Sequence, residues 1–407
     1  MGKSLDEDAL QSCTALLSNN ALNIVTRATL LTAILTLEPT QAERDWITMA
    51  RDSRPFCREL NSLLFPSESE FPFLSTIHRV IAGEDLSYQS MQTAVAFLFE
   101  PHVPAYMKAA FLEAERLKRE TAIENKACLD FFLKKASHVV VNTPVLIDIS
   151  NGYDGFNRTP YLAPFIACSL AAMGFPTVIH GIDEVGPKKG VNSYKLLKQA
   201  GLTVDAGLEA VKMRLEDPSY GWAYCDQSQS FPGLHALKTL RIAMVKRPLI
   251  ATIEKWLQPV KSTGKTFLVT GYTHPPYKHM TQAVIGRSGI YDGVLIVRGA
   301  EGSTQLSLDR RTPFVSLRES AVSEGYFSAQ TVGLEQEDRL LPQPGITTDS
   351  ILEMGLDALR GKKNLAYRTI MYQCLVLCRE WALLDQKEAQ RRIRSVLDSG
   401  KALAHWH

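Results

Sequence analysis

The chain has 407 residues, 45% of them hydrophobic and 22% charged, which is enough to bury a sizeable core in two or three domains and argues against a disordered or fibrous protein. Lys plus Arg total 45 against 43 Asp plus Glu, so the balance of +2 gives no general attraction to nucleic acid or an acidic membrane. Seven cysteines with no CxxC pair indicate neither a disulfide framework nor a zinc knuckle, and Cys374 and Cys378, one helical turn apart, read as core.

The first residues carry acids where a signal peptide would be apolar, and no apolar run reaches the ~20 residues of a membrane span, so a soluble, cytoplasmic chain is expected. Residues 1–73 read as helices, with Leu16, Leu17, Ile24, Leu30, Leu31, Ile34 and Leu35 at helical spacing and Pro39, Pro55, Pro66 and Pro72 ending segments. A second helical block covers 74–135. In it Ser87 caps one helix, 106–119 is amphipathic, and Thr121 with Glu124 forms a capping box.

Beyond Ser137 short β-branched runs alternate with helices. Strands are expected at 139–141, 145–149, 177–180, 222–224, 267–270 and 294–297, which predicts a mainly parallel sheet covered on both faces. Residues 233–256 show only helical pattern and are expected to return to the helical block, leaving 136–232 and 257–407 as the larger domain. His274 and His279 flank Pro275 and Pro276 in what reads as a loop, without zinc spacing. From Ser350 the chain is helical to its last segment, 395–404. Between Arg360 and His407 it carries ten basic residues against four acids, read first as a solvated helical face.

Ligands of an open parallel sheet bind at the carboxyl ends of the strands, where loops expose backbone N–H groups. Two loops suit that chemistry. One, 150–160, holds Gly152, Asp154, Gly155, Asn157, Arg158 and Thr159. The other, 180–190, holds His180, Gly181, Lys188, Lys189 and Gly190. Each is either a phosphate cradle, with glycines admitting an anion and Arg158 or the lysines supplying charge, or an ordinary turn leading into a helix. His180 is the best single polar candidate for touching a ligand.

These loops resemble the glycine-rich GTGGD and N-x-S-T segments and the K-H-G-N segment of anthranilate phosphoribosyltransferases. Residues 83–87 and 115–121 are similar to that family's tGe-LT and KGET patterns. Arg241 and Arg247, followed by Pro259, sit as its R-x-x-L-G-x-R…N-P stretch does, and 397–403 resembles its idSGkAl terminus. The resemblance runs from about residue 74 to the end and implies an α/β fold of the phosphoribosyltransferase type, a small all-helical domain beside a larger α/β domain. It further implies a phosphorylated sugar in a hinge cleft with magnesium, an acceptor touched by Arg241, with Arg247 nearby, and a homodimer formed through the helical domain.

The departures matter as much. Tyr153 replaces a glycine and should crowd a pyrophosphate, Ile179 and Ile182 flank the H-G pair, and the acidic pair of the G-x-D-G-L-D-E segment falls on Thr304 and Gln305. Magnesium needs hard anionic oxygens, so it is expected to be weak or replaced, with Glu301 the one carboxylate left for an ion. The pattern looks like a divergent branch standing apart from tryptophan synthesis, for which nucleic-acid binding is the alternative to transfer chemistry. Lys188-Lys189, Arg310-Arg311, Lys362-Lys363 and Arg391-Arg392 with Arg394 could line a basic surface. A third possibility is a scaffold that recruits a partner through its N-terminal helices.

Overall fold

A computed structural model describes residues 5–65, 71–286, 288–319, 321–335 and 346–407; Pro66, expected to end a helix, lies outside them. The chain forms two compact units, residues 1–134 with 236–254 and residues 135–235 with 255–407.

The first unit is helical. Its N-terminal helices begin on side chains that accept otherwise unpaired amides, Asp6 for Glu7–Ser18, Asn23 for Ile24–Thr36 and Thr40 for Gln41–Ser53. Pro72 does not end a helix. It opens Pro72–Ile81, where its missing N–H costs nothing and its fixed φ suits the first turn. Helix Ile24–Thr36 packs along Ala105–Lys118 with Ala28, Leu31, Ala109 and Leu112 fully buried. Ser87 accepts the Ser90 amide, and Thr121 and Glu124 exchange the two bonds of a capping box. Residues 236–254 join this core, Thr26 donating to the Ala243 carbonyl and Arg116 to that of Arg247.

The second unit is built on a seven-stranded sheet. Its strands in chain order are β1 (Val139–Val141), β2 (Val145–Ser150), β3 (Thr177–Gly181), β4 (Trp222–Asp226), β5 (Val260–Ser262), β6 (Lys265–Gly271), β7 (Gly293–Val297), β8 (Thr312–Arg318) and β9 (Ala321–Phe327). The large sheet runs β4-β3-β2-β6-β7-β8-β9, the first five strands parallel and the last two antiparallel, while β1 and β5 form a parallel pair apart. β5, β8 and β9 go beyond the strands expected from sequence. β5 is three residues long, and β9 is an edge strand exposed along most of its length, so neither carries a strong apolar run.

Parallel strands buried on both faces need apolar cover on each. One face packs Ile147, Ile149, Ile179, Trp222, Val269 and Leu295 against helices Ala163–Ala172 and Leu365–Glu380; the other buries Leu146, Val178, Ala223 and Cys225 with Val211, Leu215 and Val260. Cys374 and Cys378 are fully buried free thiols in the first of these. The segment after β6 corrects the sequence-based expectation of a loop. Pro275 and Pro276 occupy the first turn of helix Pro275–Ile285 with His274 as its N-cap, again where proline is tolerated. Gly400, at φ 73°, divides the expected last helix into Gln386–Asp398 and Lys401–Ala404.

Candidate functional site

The loops that follow β2, β3 and β7 meet at the carboxyl ends of the parallel strands. The first two are zipped together. Phe156 and Val191 exchange backbone hydrogen bonds of 2.9 Å in both directions, and the Gly190 amide donates to the Asp154 carbonyl at 2.8 Å. This closeness explains two of the glycines. A Cβ on Gly155, which sits at φ 74°, would lie 2.6 Å from the Val191 carbonyl oxygen, and one on Gly190 would lie 2.5 Å from that of Phe156.

The zipped loop turns three successive amides toward one point, and a side chain already fills it. Glu301, from the loop after β7, accepts the amides of Asn157 at 3.1 Å, Arg158 at 2.8 Å and Thr159 at 3.1 Å on Oε1, together with the Thr159 hydroxyl at 3.2 Å. Its Oε2 accepts Lys188 Nζ at 2.9 Å and the Asn157 amide at 3.3 Å. Consecutive N–H groups converging in this way form an anion nest. Burial pushes the Glu301 carboxyl up, but Lys188 and the amides outweigh it and hold the group below the ordinary glutamate value. Lys188 also donates to the Gly155 carbonyl, while the Arg158 and Lys189 side chains are exposed. Glu301, the one carboxylate the sequence leaves for an ion, is a counter-ion of the loop's own amides and Lys188.

Thr304 and Gln305 are tied into the same framework. Thr304 donates its amide and hydroxyl to Asn151 Oδ1 at 3.0 and 2.9 Å. Gln305 accepts from the Leu162 amide, at the start of helix Ala163–Ala172, and donates to the Pro160 carbonyl. Both are nearly buried, so a neutral lattice joins the loop after β7 to the loop after β2.

His180 is 4% exposed, at the end of β3. It contacts Tyr153 Oη through Nδ1 at 2.5 Å and Asp148 Oδ1 through Nε2 at 3.0 Å, and Tyr291 donates to the other Asp148 oxygen at 3.0 Å. Burial, then the Asp148 charge, pushes the Tyr291 phenol well up. Tyr153 packs inward with Ile182 and Val185. Gly152, Gly181, His180 and Tyr153 line a cavity of about 10 Å³, room for a single water. Asp148 and Tyr291 were missed by sequence reasoning, although a lone aspartate inside an apolar strand was the available signal.

Arg241 lies in the other unit, 1% exposed, with both terminal guanidinium nitrogens donating to Glu254 at 2.7 Å. Arg247 is half-buried and gives its carbonyl to Arg116.

No protein-family model matches the chain. It is 26% identical over 337 residues to the anthranilate phosphoribosyltransferase of Paracidovorax citrulli, covering 81% of this chain and 93% of that one. It is also 26% identical over 229 residues to an uncharacterized protein of Aquifex aeolicus. Among solved structures, the anthranilate phosphoribosyltransferase of Saccharomyces cerevisiae in complex with PRPP and Mg superposes with a TM-score of 0.69 at 17% identity, over 83% of this chain and 96% of that one. The Thermus thermophilus enzyme gives 0.66 at 20% identity. The chain is anthranilate phosphoribosyltransferase-like. In this phosphoribosyltransferase-like chain the three loops at the strand ends carry a carboxylate in the amide nest, a tyrosine against His180, and a hydroxyl and an amide at 304 and 305.

Proposed function

We propose that the protein recognises a phosphate group of a phosphorylated sugar or nucleotide with the phosphoribosyltransferase fold, without magnesium, and does not transfer phosphoribose to anthranilate. The observation that carries this reading is the bonding of residues 304 and 305. A magnesium ion takes oxygens in octahedral geometry, mostly carboxylate and phosphate. The Thr304 hydroxyl and Gln305 amide are neutral and already bonded to Asn151, Leu162 and Pro160. Glu301 is surrounded by N–H donors and an ammonium, which favour an anion at its position and repel a cation. These residues do not fit the ion. The donors on residues 157–159 and Lys188, which Glu301 occupies, are the ones whose chemistry suits phosphate oxygens.

Calorimetry with PRPP tests this. Binding of equal strength with and without magnesium is expected, and no product should form with anthranilate. Micromolar binding that appears only with the metal would sink the proposal.

A second reading, a nucleic-acid backbone on the same end of the sheet, is favoured by exposed cations. Arg158 lies on the first loop, Arg298 follows β7, and Arg310 and Arg311 precede β8, whose antiparallel pairing places its start beside the end of β7. The C-terminal cations contribute less, because Lys362 pairs with Asp357, Lys363 with Asp398, and Arg391 and Arg392 with Glu388. Retention on single-stranded DNA that falls steeply with salt would support it, and retention insensitive to salt would remove it.

A further inference from the structure

The loop after β7 is held to its neighbours at two different points by two different kinds of contact. At residues 304 and 305 neutral side chains are buried in a saturated lattice. At residue 301 a half-buried carboxylate lies in a nest whose donors, three amides, a hydroxyl and an ammonium, also suit other anions. Glu301 reaches it from a left-handed backbone conformation, φ 52° and ψ 22°, flanked by Gly302 at φ 80°. A non-glycine residue in that region carries a conformational cost, which the converging donors offset.

We propose that Glu301 is a resident substitute for phosphate: its carboxylate closes the 157–159 nest of the unliganded protein, and a phosphate or diphosphate group enters by displacing it from the three amides, the Thr159 hydroxyl and Lys188. The proposal rests on the phosphate-recognition reading above and adds to it the residue that sets the affinity. The substitution is chemically matched. A carboxylate offers two oxygens and one negative charge, and a phosphate offers three or more oxygens and greater charge to the same donors. The effective concentration of a tethered carboxylate is high, so a free anion competes at a disadvantage that vanishes when the tether is cut. The group expelled leaves with its charge toward solvent, past Asn157 and Arg158, which are exposed.

Calorimetry on the full chain in metal-free buffer, with inorganic phosphate and pyrophosphate as probes, tests the idea. Glu301→Ala is expected to bind pyrophosphate at least about tenfold more tightly than the wild type, and the gain is expected to vanish in a Glu301→Ala/Lys188→Ala double variant. A folded Glu301→Ala chain that binds no better than the wild type overturns the proposal, as does a gain that survives loss of Lys188. Should Glu301→Ala fail to fold, hydrogen exchange on the wild type decides. Amides of residues 299–305 should exchange faster when pyrophosphate is present at about 10 mM, and unchanged exchange overturns the idea. Metal-dependent PRPP binding by the wild type would fail the magnesium-free reading while leaving a gain in Glu301→Ala intact, so the two failures are separable.

Discussion

Two carboxylates respond to pH in opposite ways because their surroundings differ. Glu301, held below the ordinary glutamate value by Lys188 and the loop amides, contributes stability that is present above the unfolded value and lost as pH falls through the folded one. Thermal unfolding of the wild type should therefore lose a component below about pH 4 that Glu301→Gln lacks. Glu115 has the reverse sign. It is fully buried, both its oxygens lack a hydrogen-bond partner, and burial, then the charge of Glu124, pushes its carboxyl well above the ordinary value. The folded chain binds that proton more tightly than the unfolded one, so stability falls as pH rises above the unfolded value. Glu115→Gln is expected to stabilise the protein at neutral pH by about 1–3 kcal/mol, with the gain fading toward about pH 4 in urea unfolding. A gain independent of pH would contradict that cause.

At the scale of elements, the loops depend on close backbone approach. Gly190→Ala would set a Cβ 2.5 Å from the Phe156 carbonyl oxygen, and the two loops would have to part. A loss of about 2–4 kcal/mol is expected, together with weaker anion binding in the Glu301→Ala background. Arg119 offers the contrary case. It ends helix Ala105–Lys118 at φ 72° and ψ 102°, a conformation that glycine adopts freely and arginine does not. Arg119→Gly should raise stability by about 1 kcal/mol, read as a shift of the denaturation midpoint with unchanged slope. Gln305→Glu should do the opposite, by about 2–4 kcal/mol, since it buries a charge and removes the donor to the Pro160 carbonyl.

Across the whole molecule, the carboxyl terminus is part of the α/β core. Trp406 stacks on Phe165 at 4.7 Å between ring centroids and on Trp222 at 5.6 Å, and Trp222 donates to the His405 carbonyl. Trp406→Ala is expected to cost about 3–5 kcal/mol of stability, with little change in anion affinity for the fraction that remains folded. Denaturant unfolding and calorimetry on the same variant separate the two effects.

Local chemistry was readable from residue order alone. The capping box at Thr121 and Glu124 and the five parallel strands arise from periodicity and from groups a few residues apart. The first turn of Pro275–Ile285 was misread, because two prolines mark a loop or a helix start equally well until the following residues pack. The site required the fold. Glu301 lies 144 residues from Asn157 along the chain and His180 lies 32 from Asp148, and nothing in either spacing fixes those pairings. Whether a glycine loop admits a ligand or closes on its own carboxylate is a competition between tethered and free anions for the same amides, and only the tertiary arrangement of three strand ends decides it.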